Sequence, residues 1–162
     1  MLQTAYFQSP FGCLEITASI RGIRSLRLSK NKTCPQVPIP KELRECVRQL
    51  DEYFYRKRKE FELALDFSGA TPFYRTVWEE LRKIPYGHTS TYSAIAEKTG
   101  DPKSVRAVGQ ANRNNPIAII VPCHRCIAKS GELQGYFYGL DMKRKLLELE
   151  NPMSFAEQGR LF

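Results

Sequence analysis

The rhythm of the apolar residues changes near residue 68. Before that point, short apolar stretches broken by tight turns predict strands; beyond it, apolar residues recur at helical spacing. Leu2 to Phe7 and Cys13 to Ala18 flank the turn Ser9-Pro10-Phe11-Gly12, and Ile23 to Leu28 follows a second turn at Arg21-Gly22. These three segments predict a small antiparallel sheet. Pro35, Pro38 and Pro40 mark a loop, after which Leu43, Cys46, Val47, Leu50 and Phe54 fall on one face of a helix. Phe61, Leu63 and Leu65 alternate with polar neighbours and predict another strand, and Ser68-Gly69-Ala70 is a candidate linker.

In the second part, Thr71 caps a helix with Pro72 at its first position and Phe73, Val77, Leu81 and Ile84 on one side. Thr91 opens a short helix that Gly100 stops. Asp101-Pro102 starts another at once, and Asn115-Pro116 closes it. Two short helices joined by a tight turn form a candidate helix-turn-helix. Ile117 to Val121 is a continuous apolar run and predicts a buried strand, and Asp141 to Glu150 predicts a final helix. The expected class is therefore α+β. A sheet-and-helix domain spans residues 1–68, and a mostly helical domain with a helix-turn-helix spans 71–162.

Composition narrows the function. With 42% hydrophobic and 26% charged residues, the chain is an ordinary globular sequence rather than a disordered or fibrous one. No apolar run is long enough to span a bilayer, and Met1 to Tyr6 lacks the pattern of a signal peptide, so an intracellular protein is expected. The formal charge of +8 permits binding to a polyanion without requiring it. The spacing of the five cysteines suggests no closed disulfide framework.

The chemistry concentrates in Ile119-Ile120-Val121-Pro122-Cys123-His124-Arg125-Cys126. A free thiol has a pKa of about 8.5 and needs a base to become a nucleophile at neutral pH, and histidine titrates in the right range. Neighbours on an extended strand point to opposite sides, so His124 would reach the thiol only through a bend or a bridging water. On these residues alone, a buried structural cysteine beside a surface histidine is the simpler reading. The Cys123-x-x-Cys126 pair is a weak signal for redox chemistry or zinc, because no helix start and no second pair accompany it. Lys103, Arg106, Gln110 and Arg113 lie on one side of the second helix of the helix-turn-helix, with Ala107 and Gly109 nearby and Val105, Val108 and Ala111 free to face a core. That layout fits a helix approaching nucleic acid and equally a solvated surface helix. Arg56-Lys57-Arg58-Lys59 reads as a solvated turn more readily than as a localisation signal.

Pro122-Cys123-His124-Arg125 resembles the signature of the O6-alkylguanine-DNA alkyltransferases, and the resemblance extends in order across residues 71 to 150. Upstream it takes in Thr71-Pro72-Phe73, Val77-Trp78, Ile84-Pro85-Tyr86-Gly87, Thr91-Tyr92, Arg106-Ala107-Val108-Gly109 and Asn112 to Pro116. Downstream it takes in Gly131, Leu133, Gly135-Tyr136, Gly139, Lys143, Leu146-Leu147 and Glu150. In the first part only Ser9-Pro10 and Gly12 are similar.

The resemblance implies direct-reversal repair: one alkyl group moves from O6 of guanine, or O4 of thymine, in duplex DNA to Cys123, with no cofactor and no turnover. His124 matches the base, working through a water, and Glu150 the carboxylate that orients it. Tyr92 matches the residue assisting the leaving guanine near N3, and Asn115 the link between the DNA-binding motif and the active-site strand. Arg106 matches the finger that fills the stack of an everted nucleotide, with the helix at the minor groove. Tyr136, Cys126 and Phe137 match the wall of the base pocket, with Phe137 bulkier than is common there. Ser19 and Arg24 stand where some relatives hold zinc, so no metal is expected. A monomer in the absence of DNA is expected, in the cytoplasm or nucleoid of a prokaryote or the nucleus of a eukaryote. The competing readings are a non-catalytic binder of alkylated DNA with the same fold, a helix-turn-helix regulator and a thiol hydrolase.

Overall fold

The computed structural model describes residues 1–31, 33–131, 136 and 138–153. Its contacts divide the chain into two compact units, Met1–Ser68 with Pro116–Ile120, and Gly69–Asn115 with Val121–Phe162. The architecture is α+β, with the sheet in the first unit and most of the helix in the second.

In the first unit, β1 (Gln3–Ser9), β2 (Gly12–Ser19) and β3 (Gly22–Leu28) form an antiparallel meander in the order β1-β2-β3. Leu14, Ile16, Ala18, Ile23 and Leu26 are buried, and α1 (Arg44–Phe54) adds Cys46, Leu50 and Tyr53 to the same core. Aromatic rings continue it, with Phe7 and Phe11 both against Phe54. Gly22 has φ 147°, and a Cβ there would lie 2.4 Å from the Ala64 carbonyl oxygen, so only glycine fits this turn.

Three expectations are corrected in this unit. Residues 61–65 form no strand beyond an isolated parallel bridge from Leu65 to Ile23, and their other backbone groups find separate partners. The Ile23 N–H donates to Ala64 at 2.9 Å, and buried Gln49 both donates to the Glu62 carbonyl and accepts from the Glu62 N–H. Ile117 to Val121 is likewise no strand. Ile117 makes a single parallel bridge to Leu26, the chain turns at 118–120, and Ile119 adopts φ 71°. A short apolar run signals burial, and burial is all that it achieves here. Cys13 and Cys34 form a disulfide across 21 residues, against the expectation of none. The cysteine spacing could not reveal it, because the contact depends on the loop after β3 folding back beside β2.

In the second unit, Thr71 caps α2 (Pro72–Leu81) by accepting from the Tyr74 N–H, with Pro72 at the first position. The two-residue strand β4 (Ser90–Thr91) leads into α3 (Tyr92–Lys98), which Thr91 caps through the Ala94 N–H. A 3-10 turn at Pro102–Ser104 leads into α4 (Val105–Arg113). Trp78 ties α2 to α4 by donating its indole N–H to the Ala111 carbonyl at 2.9 Å. The strand β5 (Cys126–Ile127) pairs in parallel with β4, which brings Cys126 opposite the start of α3. Last comes α5 (Leu140–Glu150).

Candidate active site

Along α5, Lys143, Leu146, Leu147 and Glu150 stand three, four and seven residues apart, so they share one face, and all four are buried. An apolar stripe thus carries an ammonium at one end and a carboxylate at the other. Against it lies a 3-10 turn at Cys123–Arg125. The turn takes Cys123, His124 and Arg125 out of the strand-like alternation expected of them and buries all three.

Glu150 is gripped from two sides. His124 donates its Nε2–H to Oε2 at 2.7 Å, and Arg125 donates Nε–H to Oε1 at 2.8 Å and Nη2–H to Oε2 at 3.0 Å. Arg125 also donates to the Ile84 carbonyl at 2.7 Å, which fixes the guanidinium. Burial pulls the Glu150 carboxyl upward, but His124 and Arg125 outweigh it and hold the group well below the usual carboxylate range. Burial pushes His124 the other way from protonation, below its ordinary value and past the opposing pull of Glu150. The site therefore holds a carboxylate, a guanidinium and a neutral imidazole. With Nε2 donating to Glu150, Nδ1 carries the lone pair, and this buried atom has no hydrogen-bond partner among the described residues. A neutral imidazole with a free lone pair is a base awaiting a proton.

Cys123 is 5% exposed. Its sulfur accepts from Asn115 Nδ2 at 3.1 Å, and the same amide donates to the Val121 carbonyl at 2.9 Å. Burial pushes the thiol up, while the Asn115 amide and the charge of Lys143 pull it down. The His124 backbone N–H donates to the Cys123 sulfur, but neither ring nitrogen bonds it, so a proton passing from the thiol to the imidazole needs a carrier. Cys126 is buried and free, its thiol pushed up to about 12 by burial, so Cys123 and Cys126 are not joined.

The helix α4 presents a different surface. Val108, Ala111 and Asn112 are buried, and Lys103, Arg106, Ala107, Gln110 and Arg113 are exposed. A groove of about 590 Å³ runs beside it, lined by Tyr92, Val105, Arg106, Gly109, Gln110 and Arg113 among others. A Cβ added at Gly109 would meet nothing within 4 Å, so the helix backbone there is open to close approach. Val105, expected to face the core, instead lies 36% exposed on this groove, because the preceding 3-10 turn sets the start of α4.

Two family profiles cover nearly the whole chain: the ribonuclease-like domain of 6-O-methylguanine DNA methyltransferase over residues 2–67, and the DNA-binding domain of the same over residues 72–152. The chain belongs to the 6-O-methylguanine DNA methyltransferase family. A methylated-DNA–protein-cysteine methyltransferase of Methanosarcina acetivorans is 46% identical over 151 residues, covering 90% of this chain and 96% of that one. One from Mycobacterium bovis is 42% identical over 97% of each. The crystal structure of Mycobacterium tuberculosis O6-methylguanine methyltransferase superposes with a TM-score of 0.83 at 42% identity, covering 94% of each chain. The structure of the Mycobacterium tuberculosis protein in complex with DNA gives 0.81 at 43% identity, covering 93% and 92%.

Within this methyltransferase fold the residues singled out in the sequence fall into two groups. Cys123, His124, Glu150, Asn115 and Cys126 come together in the buried cluster, and Tyr136 is buried with its hydroxyl unpartnered among the described residues. Lys103, Arg106, Ala107, Gly109, Gln110 and Arg113 share the open side of α4 and the turn before it. Half-buried Tyr92 belongs to both, lining the groove and lying 3.5 Å from Lys143 Nζ. Phe137 lies outside the described residues. Two further residues carry no role from the sequence: Arg125, which clamps Glu150, and Lys143, whose Nζ donates to the Cys126 carbonyl at 2.6 Å. Their signal was a charged residue within an otherwise buried segment. Among the described residues, no group of three His, Cys, Asp or Glu side chains could hold a metal ion, and no helix is long and apolar enough to cross a membrane.

Proposed function

We propose that Cys123 is the acceptor through which this chain reverses alkylation damage at O6 of guanine. As a member of its family the chain is a methylated-DNA–protein-cysteine methyltransferase, and DNA is its partner. The observation that carries the assignment to Cys123 is the adjacent buried pair, His124 held to Glu150 at 2.7 Å with an unoccupied lone pair on Nδ1. A water between Sγ and Nδ1 would pass the thiol proton to His124, and the ionised Glu150 would stabilise the imidazolium formed. The Asn115 amide would support the thiolate.

The thiolate then attacks the alkyl carbon in line with the C–O6 bond. The S–C bond forms, the C–O6 bond breaks, and the electron pair leaves with guanine. Among the described residues, no group near the sulfur activates a thioether for cleavage, so each chain would transfer once. A thiol 5% exposed cannot reach a base stacked in a duplex, so the nucleotide must leave the helix at a cost of a few kcal/mol. Arg106, on the open side of α4, would occupy the vacated space, while Lys103 and Arg113 would hold phosphates. Minor-groove docking would suit a protein that must act at any sequence, since readout there is degenerate. Tyr136 would wall the everted base, with Cys126 beside it. The substrate is a duplex holding O6-alkylguanine, with O4-alkylthymine a second; the protein is a monomer until it meets DNA.

The test counts product. Wild-type protein incubated with excess duplex containing O6-methylguanine is expected to restore at most one guanine in the duplex per chain, and Cys123→Ala none while still binding the duplex. Product beyond one equivalent, or undiminished repair by Cys123→Ala, would overturn the assignment.

A further inference from the structure

Alkyl transfer uses one sulfur, yet Cys123-x-x-Cys126 places two free thiols in one turn. The sequence shows no helix start at this pair; the structure supplies one. Cys123 opens the 3-10 turn Cys123–Arg125, and the Cys126 N–H closes it by donating to the Cys123 carbonyl. A backbone bond of that span holds its end residues within about 7 Å, Cα to Cα. Disulfides join cysteines whose Cα atoms lie about 4.4–6.8 Å apart. The turn therefore holds the pair near bridging distance without help from the rest of the chain.

The two side chains also share their surroundings. The charge of buried Lys143 favours the thiolate at both, and both act on the Tyr92 hydroxyl. A thiolate at Cys123 disfavours one at Cys126, as expected of neighbours. Cys46 makes the contrast: it is buried on α1, and burial alone acts on its thiol. Access differs within the pair. Cys123 is 5% exposed and Cys126 0%, so a small reagent meets Cys123 first, and Cys126 has only to meet Cys123.

We propose that Cys123 and Cys126 form a dithiol site that a hydroperoxide oxidises to a disulfide, closing the acceptor reversibly and sparing it from irreversible oxidation. This rests on the reading above, which supplies the Cys123 thiolate. In the first step that thiolate attacks one peroxide oxygen. The S–O bond forms, the O–O bond breaks, and the departing hydroxide takes a proton from solvent and leaves as water. Cys123 is then a sulfenic acid, oxidised by two electrons, and the peroxide is reduced. In the second step the Cys126 sulfur attacks the Cys123 sulfur. The S–S bond forms, the S–O bond breaks, and the leaving hydroxyl departs as water with the Cys126 proton. A sulfenic acid with no thiol beside it goes on to sulfinic and sulfonic acids, which thiol reductants do not restore. A chain that uses its sulfur once is lost by that route as surely as by alkylation. Cys126 intercepts the sulfenic acid before it is lost.

The test treats wild type and Cys126→Ala with hydrogen peroxide. One portion is blocked with iodoacetamide and mapped without reduction by tandem mass spectrometry. The rest is assayed for transfer from an O6-methylguanine duplex, before and after dithiothreitol. Each rate is referred to the same chain carried through the same steps without peroxide, which cancels the effect of the substitution and of reducing Cys13–Cys34. In the wild type the peptides holding Cys123 and Cys126 are expected to be linked. Its transfer should fall by about tenfold or more and return to within about twofold after dithiothreitol. In Cys126→Ala, Cys123 is expected to carry two or three added oxygens, with the rate still down by about tenfold after dithiothreitol. Sulfinic or sulfonic Cys123 in the wild type without the linked peptides would overturn the inference, as would equal recovery by Cys126→Ala. If Cys126→Ala does not fold, the wild-type peptide map decides alone. An untreated wild type that takes no methyl from the duplex would overturn the alkyl-transfer reading, whereas missing linked peptides in a wild type that does take it would overturn only the dithiol.

Discussion

The two units bury different kinds of side chain. In the first, the buried polar residues are Ser9, Ser25, Gln49 and Asp66, each an accessory to an apolar sheet-and-helix core. Gln49 replaces strand partners for Glu62, and Asp66 accepts from Ser19 and Ser68. In the second, His124, Arg125, Lys143 and Glu150 are buried within 27 residues of sequence, and Asn112 is buried as well. Taking ions out of water costs several kcal/mol apiece, and an apolar replacement is often as stable or more so. Stability therefore accounts for the interior of the first unit more readily than for that of the second, whose charges we propose serve the chemistry.

The contrast is sharpest at Glu150. Glu150→Gln strips the counter-charge from a buried guanidinium and the acceptor from His124, so it should lower stability by about 3–5 kcal/mol. It should also slow alkyl transfer by about 10² to 10⁴-fold, as expected when a general base loses its support. Denaturant unfolding and single-turnover assays read the two effects. The comparison breaks if Glu150→Gln is less destabilising than Gln49→Ala in the first unit, for which about 1–3 kcal/mol is expected.

The next effect belongs to the first unit. The Cys13–Cys34 bridge closes 21 residues, and Cys34→Ser should lower stability by about 3 kcal/mol through the freedom returned to the unfolded chain. A denaturation midpoint unchanged by Cys34→Ser or by reductant would contradict this. Smaller again is the change at the open side of α4. Arg106→Ala should slow repair of duplex DNA by about 10 to 100-fold while altering reaction with free O6-benzylguanine by no more than about threefold. Equal loss on both substrates would place Arg106 in the chemistry and not in DNA handling.

The smallest effect is in pH. His124 has a folded pKa below its ordinary value, so the unfolded chain takes up a proton that the folded chain refuses. Stability is then complete above about pH 6.5 and declines as pH falls below it. Glu150, also lowered, adds loss in the same direction once pH passes below about 4.3. The first unit contains no histidine, so a decline between pH 7 and 5.5 reports on the second. Midpoints that are flat or rise across that interval would count against a neutral buried imidazole.

Local chemistry made much of this legible in the sequence. Thr71 with Pro72, and Thr91, each supply a side-chain cap that needs no knowledge of the rest of the chain. Val105 apart, the exposed polar residues of α4 follow from helical spacing alone. What the sequence hid depends on contacts between distant segments. Ile117 to Val121 reads as a strand, since apolar content records burial and not the φ of 71° at Ile119. Arg125 sits in plain view beside His124, yet its grip on Glu150 crosses 25 residues. The Cys13–Cys34 pair is similar: neither cysteine signals the loop that joins them.

The most direct measurement is peptide mapping by tandem mass spectrometry after reaction with an O6-methylguanine duplex. The chain carries free cysteines at 46, 123 and 126, all buried, so burial alone does not choose between them. The account predicts a single methyl group, located on the Cys123 sulfur, with Cys46 and Cys126 unmodified. A methyl group on Cys126, or one divided among the three, would contradict the claim that His124 and Glu150 select the nucleophile.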